Sequence, residues 1–339
     1  YVVCNGDEGE PVNFKDKYLL ENDPQQLIEG IIIGAYAVGA DKGYIYVRGE
    51  YNKSIKILKK AIESTGQKGF LGKNILGSGF NFEVEVCSGA GAYICGEEFA
   101  LIESMEGKAG RPRCKTPFPT VSGLNKKPTF LSNVETFSNI PFIISEGAGA
   151  FASIGTESSK GTRLISVSGN VRKKGVYEAP FGTSVNDIIY KLGGGVAEGR
   201  KIKMVQIGGS SGPCIPESLL GIKIDYDEFA AEGISMGSGA VIVIDDTNDT
   251  MMILRQIAKF FNHESCGKCT PCREGTKQIL NILNKFVSKK ATKYDLSMLE
   301  ELSQVMIKTS FCGLGQAAPT SIVTMMKYFK EDYISRIKN

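Results

Sequence analysis

The chain has 339 residues, 42% of them apolar, and its 40 basic and 37 acidic residues leave a formal net charge of +3. That length supports two or three domains with cores of their own, and the near balance of charge offers no single-sign field to gather nucleic acid or an anionic membrane. The longest apolar run, Leu27 to Ala40, contains Glu29 and falls short of the roughly 18 to 20 residues of a membrane span, so no direct membrane insertion is expected. No signal peptide is evident. Nine cysteines, an odd number spaced irregularly outside one loop, argue against a disulfide framework and for a reducing compartment such as the cytoplasm.

Tyr1-Val-Val-Cys4 opens the chain as an apolar strand without an initiator Met, as expected of a fragment. A polar loop follows, then Asp23-Pro24, an N-cap and N1 pair, and Leu27, Ile28, Ile31, Ile32, Ala35 and Val38 at helical spacing. Tyr44 to Arg48 reads as a strand, Lys53 to Thr65 as a helix, and Phe80, Phe82, Val84 and Val86 alternate as a half-buried strand does. The sum is a βαβαβ order and a three-layer α/β domain over residues 1–160. From 161 to 247 the pattern changes to short strands between glycine turns, Arg163 to Ser168, Gly175 to Ala179 and Lys201 to Ile207, with one helix from Val185 to Leu192. This predicts a small α+β unit. Residues 248–339 read as helices near 250–262, 273–287, 295–308 and 317–335, enough for a four-helix bundle. The lysine clusters at 59–60 and 285–293 fit solvated helix faces.

Within that helical region Cys266, Cys269 and Cys272 form C-x2-C-x2-C, and Cys312 lies 40 residues later in Phe311-Cys-Gly-Leu-Gly315. Four thiolates are the usual ligand set of a four-iron cluster, and three from one tight loop suit adjacent corners of a cube better than the single point of a zinc ion. One zinc alternative remains, three thiolates with His263, the chain's single histidine. The other cysteines, Cys4, Cys87, Cys95, Cys114 and Cys214, are scattered and read as small buried hydrophobes.

Three further loops carry chemistry. Ser88-Gly-Ala-Gly-Ala-Tyr-Ile-Cys-Gly-Glu-Glu98 is a glycine-rich loop between a strand and a helix, where backbone N–H groups can cradle a phosphate, although its spacing is not the dinucleotide fingerprint. Asn5-Gly-Asp-Glu-Gly-Glu-Pro11 sets three carboxylates after the first strand, suited either to the hydroxyls of a ribityl or ribose group or to a plain solvated turn. Residues 108–129 hold Arg111, Arg113, Lys115, Phe118 and four prolines, a stiff basic loop able to lie over a cofactor. Ser132-Asn-Val-Glu135 has the spacing of a capping box, which assigns Ser132 and Glu135 to structure. With one histidine, beside the cysteine loop, acid–base catalysis through imidazole has little to work with, and cofactor chemistry fits better.

Taken in order, "CNGDEGEP", "SGAGAYICGEE", "PFP", "SNVET", "HESCGKCTPCREG" and "CGLG" resemble one family over nearly the whole chain. It is the NADH-binding flavoprotein subunit of respiratory complex I and its relatives in soluble NAD-reducing and electron-bifurcating hydrogenases and formate dehydrogenases. The resemblance implies a Rossmann-like flavin domain, a β-grasp (ubiquitin-like) module and a helical bundle holding a 4Fe-4S cluster. It places FMN against Asn5, Asp7, Glu8, Tyr93, Gly96, Glu97, Asn133 and Thr136, and NADH near Glu10, Glu98, Lys115 and Phe118. Cys266, Cys269, Cys272 and Cys312 would hold the cluster, with Gly313 and Leu314 between it and the flavin. Hydride from NADH would pass to FMN and leave as single electrons through the cluster. Carboxylates near the ribose disfavour the 2′-phosphate of NADPH, whereas Lys115, Arg111 and Arg113 could accommodate one. The family's glycine-rich FMN loop normally lies before this acidic motif, ahead of Tyr1, so the resemblance implies either a fragment or incomplete flavin binding. "FCGLGQAAPT" and the C-terminal stretch look more like the hydrogenase and formate dehydrogenase branch than complex I. The partners implied are a thioredoxin-like 2Fe-2S subunit and a catalytic iron–sulfur subunit in a multi-subunit complex.

Overall fold

The computed structural model describes residues 1–338. They form two compact units: Tyr1–Gly9 with Phe14–Ser153, and Glu10–Asn13 with the residues from Ile154 onward. No helix among the described residues is long and apolar enough to cross a membrane.

The first unit runs β1 (Val2–Gly6), α1 (Lys15–Asn22), α2 (Pro24–Val38), β2 (Lys42–Val47), α3 (Asn52–Gln67), β3 (Glu83–Ser88), α4 (Glu98–Met105), the single turn α5 (Pro119–Ser122), β4 (Phe130–Asn133), α6 (Val134–Glu146) and α7 (Ala148–Ala152). Its sheet has the order β3-β2-β1-β4, with every pair parallel. β1 is an inner strand whose Val2, Val3 and Cys4 are fully buried, and α2 and α6 pack against it. The strands step from β1 through β2 to β3 on one side, and β4 returns to the other side of β1. Strand order therefore reverses between β1 and β4, the position where open parallel sheets leave a crevice beyond their C-terminal ends.

Asp23 caps α2 as its sequence indicates, accepting the Gln26 N–H at 3.1 Å, with Pro24 at N1 and Gly39 ending the helix at φ 69°. The buried face of α2, including Leu27, Ile28, Ile31 and Ala35, joins Phe137 of α6 in one core. At the crossing a Cβ on Gly30 would stand 1.9 Å from the Phe137 carbonyl oxygen, so the two helices approach backbone to backbone. Gly30→Ala should force them apart and lower unfolding stability by about 3 kcal/mol, the upper range of overpacking, readable as a fall in the thermal midpoint of the first unit.

Two local expectations are corrected. Residues 5–22 are not one polar loop, since Lys15–Asn22 is helical. The helix after "SNVE" is capped by Asn133, not Ser132: β4 pairs with β1 through Asn5↔Asn133, so Ser132 stays in the ladder and the cap falls one residue later. Glu135 then turns to Lys15, at 3.0 Å.

The second unit begins with β5 (Thr162–Gly169), β6 (Gly175–Pro180), α8 (Val185–Asp187) continuing into a wide turn over Ile188–Leu192, β7 (Ile202–Ile207), β8 (Cys214–Ile215), α9 (Tyr226–Ala231) and β9 (Ala240–Asp245). Its sheet is mixed, in the order β6-β5-β9-β7-β8, with β5 and β9 parallel and every other pair antiparallel. Val167, Val205, Val243, Ile188 and Phe229 form the centre of its core. The helices α10 (Thr250–Glu264), α11 (Thr270–Val287) and α12 (Lys293–Thr309) lie close to where the periodicity puts them. The expected fourth helix is instead α13 (Gly313–Ala317), α14 (Thr320–Tyr328) and α15 (Lys330–Ile334). Pro319 has no N–H to continue the ladder, and Phe329 leaves helical backbone at φ −132°.

Candidate functional site

In the first unit the predicted flavin residues gather at the C-terminal ends of β1 and β4. Asn5 donates from Nδ2 to the Gly96 carbonyl at 2.9 Å and accepts the Asp7 N–H at 3.1 Å, tying the acidic loop to the glycine loop. Asn133 is more heavily used: its Nδ2 donates to Asn5 O (3.2 Å) and Asp16 Oδ2 (2.9 Å), while its Oδ1 accepts from the Glu135 N–H (3.0 Å) and Lys15 Nζ (3.2 Å). Thr136 stands exposed in the first turn of α6. Tyr93 to Gly96 form one turn of 3-10 helix, and a Cβ on Gly9 would lie 3.0 Å from Tyr93 Cα, so the two loops pack closely.

Glu97 is the N-cap of α4, its Oε2 accepting the Phe99 and Ala100 N–H groups at 3.1 and 3.0 Å. Its Oε1 is buried with no hydrogen-bond partner. Burial raises the pKa of this carboxyl. An unsatisfied buried oxygen is costly in an isolated protein and is what a ligand hydroxyl would satisfy. The polar groups present therefore fit the ribityl side of a flavin.

Glu8 turns the other way. Its carboxylate accepts the Asp16 and Lys17 N–H groups, both at 3.0 Å, and the Tyr51 hydroxyl at 3.2 Å, so it caps α1 from across the loop. Burial first, then the charge of Asp16, pushes its pKa up to about 7. The folded state thus holds this proton at pH values where the unfolded chain has released it, and stability falls as pH rises from the ordinary carboxylate range to about 7. Glu8→Gln should flatten that decline, worth at most roughly 3 kcal/mol, in unfolding titrations across the window. Burial pulls the Lys15 pKa down, but Asp16 and Glu135 outweigh it and hold the ammonium above its ordinary range.

Sequence reasoning missed Lys15, Arg48 and Tyr51. Arg48 donates to the Glu8 carbonyl at 2.7 Å and pairs with Glu50 at 2.8 Å. The one available signal was the position of Arg48 just beyond the C-terminal end of β2. In the basic loop, Lys115 meets Glu98 at 3.3 Å and Phe118 is 56% exposed. Arg113 is tied to Glu103 and to Glu106, the latter at 2.6 Å, and packs over Phe99, whereas Arg111 and Lys115 are exposed.

The second unit takes Glu10 away from its neighbours in the acidic motif. Glu10 is buried, and its Oε1 accepts the N–H and hydroxyl of Ser211 at 2.8 and 2.9 Å. The turn between β7 and β8 is shaped around it: Gly209 has φ +88°, and a Cβ there would come within 2.2 Å of the Glu10 carboxyl carbon.

The same unit brings the four predicted thiols together. Cys266 and Cys269 are half-buried, Cys272 and Cys312 buried, and no disulfide links cysteines among the described residues. Cys269 is the N-cap of α11 and Cys272 lies in its first turn; Cys312 precedes α13. Burial pushes the Cys272 thiol up to about 11, and Cys269, Cys312 and Cys266 each add to the rise, so the other three lie near it. Arg273 braces the loop by donating to the Gly267 carbonyl at 2.8 Å. Yet no three His, Cys, Asp or Glu side chains among the described residues are arranged to hold a single metal ion, and His263 is exposed in the last turn of α10. Four cysteines grouped around Cys272 match the usual ligand set of a four-iron cluster in number and chemistry. Gly313 is exposed and Leu314 buried beside Cys312.

Comparison with known proteins matches three stretches of the chain to known families. Residues 1–142 match the Nuo51 FMN-binding domain, residues 252–336 the NADH-ubiquinone oxidoreductase-F iron-sulfur binding region, and residues 164–215 the SLBB domain. An NADH-quinone oxidoreductase subunit of Rhizobium meliloti is 45% identical over 100% of this chain and 80% of its own. The NADP-reducing hydrogenase subunit HndC of Solidesulfovibrio fructosivorans is 45% identical over 99% of this chain and 69% of its own. A solved NAD+-reducing NiFe hydrogenase in its H2-reduced state has a chain that superposes with TM-score 0.91 at 35% identity; the match covers 99% of this chain and 56% of that one. The chain belongs to the NADH oxidoreductase flavoprotein family that couples an FMN-binding domain to an iron–sulfur binding region.

Proposed function

We propose that this chain passes reducing equivalents between NADH and the iron–sulfur partners of a larger assembly. The observation that carries the reading is the presence, in one chain, of the unpaired buried Glu97 oxygen among the loops at the sheet's C-terminal ends and of a three-cysteine loop with a fourth cysteine, Cys312, brought near it. FMN, when bound, exchanges a hydride with the nicotinamide and electrons singly with a 4Fe-4S cluster.

The chain's own residues supply position and polarity. Glu97 offers its unpaired Oε1 to a ribityl hydroxyl, Asn5 fixes the two loops that frame the crevice, and Gly96 leaves its Cα face open. Asp7, Glu8, Tyr93, Asn133 and Thr136 complete the assigned flavin set; for Glu8 and Asn133 the hydrogen bonds favour a supporting role. Glu98, Lys115 and Phe118 are assigned to the nicotinamide nucleotide, the exposed Phe118 ring being available for stacking, whereas for Glu10, buried and held by Ser211, the hydrogen bonds favour a supporting role. Cys266, Cys269, Cys272 and Cys312 would hold the cluster, and Gly313 and Leu314, next to Cys312 in the chain, belong to the same assigned set.

Three domains, 1–160, 161–247 and 248–339, fit this division of labour. The parallel central strands β5 and β9, flanked by antiparallel neighbours, support a β-grasp for the second. α10 to α15 support a helical bundle for the third. We assign the chain to the cytoplasm, with a thioredoxin-like 2Fe-2S subunit and a catalytic iron–sulfur subunit of a hydrogenase or formate dehydrogenase as partners. HndC supports the hydrogenase setting, and the NADH-quinone oxidoreductase relatives support complex I to a similar degree.

The test is the content of anaerobically prepared full-length protein. About four iron and four sulfide per chain with FMN are expected. Zinc without sulfide or flavin would overturn the reading and make the thiol loop a structural staple.

A further inference from the structure

We infer that the Ser310 hydroxyl donates a hydrogen bond to the sulfur shell of the iron–sulfur cluster at its Cys272 corner and thereby raises the cluster's reduction potential. This rests on the cluster reading given above and adds a residue that neither the cysteine spacing nor the flavin motifs indicate.

Ser310 ends α12, two residues before Cys312, and is 5% exposed. Its backbone is fully used: the N–H donates to Met306 O at 3.0 Å, and the carbonyl accepts Gln316 Nε2 at 3.0 Å. The hydroxyl alone is buried without a partner. Buried hydroxyls are rarely left so, and the group that would satisfy this one is absent from the polypeptide.

Gly315 locates that group. A Cβ built there would stand 2.7 Å from Ser310 Oγ and 2.9 Å from Cys272 Cβ, so the hydroxyl and the base of the Cys272 side chain converge on one point. Cys272 is already approached from its other neighbour, with Ser265 Oγ 3.3 Å from its sulfur. Two hydroxyls therefore lie about the Cys272 side chain, Ser265 at its sulfur and Ser310 near its Cβ, and Ser310 has its donor in reserve. Adding one electron to a cluster puts more negative charge on its sulfurs, which strengthens a hydrogen bond donated to them. The reduced form gains more than the oxidised form, and the potential rises, with no covalent bond made or broken.

The experiment is an EPR-monitored redox titration of the complete flavoprotein, native against Ser310→Ala and Ser310→Thr, with deuterium-exchange pulsed EPR on each. Ser310→Ala should keep its iron and sulfide but show, at the native midpoint, about a tenfold lower ratio of reduced to oxidised cluster, which is 59 mV for one electron. It should also lose one exchangeable-proton coupling, and Ser310→Thr, which keeps the hydroxyl, should restore both. An unchanged midpoint in a fully loaded Ser310→Ala protein, or an equal shift in the Thr variant, would overturn the inference. So would native protein in which no hydroxyl proton couples to the cluster, a result independent of any variant's folding. Native protein without iron or sulfide would instead fail the cluster reading itself.

Discussion

Cys269→Ser should leave a folded, flavin-containing protein in which NADH still reduces FMN but the cluster signal is gone. Cys269 sits at the N-cap of α11 without a side-chain capping bond, and serine is among the preferred residues there, so the helix start is not weakened. α10 and α11 pack together, with Leu254, Ile257 and Phe261 buried on one and Ile279, Leu283 and Phe286 buried on the other, so the helices bury apolar surface apart from the thiols. The oxygen of serine is a poor replacement for a thiolate on iron. We expect a fall from about four iron per chain to below about one, loss of the reduced EPR signal, and NADH-dependent bleaching of the flavin within about twofold of native. Far-UV circular dichroism checks that the bundle persists. Bleaching lost in a folded variant would show that hydride transfer depends on the thiol loop, contrary to a division of labour in which the assigned flavin residues belong to the first unit.

The order of strands and helices was legible where local chemistry repeats a known period. Asp23-Pro24 announced α2, the apolar spacing over 250–308 announced three long helices, and C-x2-C-x2-C announced the thiol site. What the chain hid was long-range. α1 starts with Lys15-Asp16-Lys17, is weakly apolar, and is capped by Glu8 from beyond its own first turn, so no window around it carries a helix signal. The Ser132 capping box failed because a parallel register with β1, set by residues about 130 positions away, extends β4 by one residue.

The candidate site shows the same division. The acidic motif reads as one feature, yet Glu8 caps a helix, Asp7 stays with the glycine loop, and Glu10 belongs to a turn around Ser211 in the other unit. Three carboxylates in four residues look alike in sequence because charge is local there; their roles differ because burial and hydrogen-bond partners are not. Arg48 and Lys15 escaped for the same reason, since each acts on a loop far from it in sequence.

Gly96→Val should empty the flavin site without unfolding the protein. The Gly96 carbonyl is held by Asn5, and a Cβ at this position would meet only Asp7, its backbone oxygen at 3.4 Å and Oδ2 at 3.7 Å, which are ordinary contacts. The rest of that space is open, and Gly96 adopts no positive φ, so the polypeptide itself has little reason to require glycine. A planar ligand seated against the Gly96 backbone would. Branched methyl groups there should cut FMN occupancy from about one per chain to below about 0.1, a weakening of at least tenfold or about 1.4 kcal/mol. Lost flavin lowers the thermal midpoint by mass action alone, so the fair reference is native protein stripped of FMN, and against it the variant should lie within about 1 kcal/mol. Its cluster should still accept electrons from dithionite while NADH no longer reduces it. Full flavin occupancy in Gly96→Val would move the cofactor off the glycine loop and shift its assignment to the β1–β4 side of the crevice.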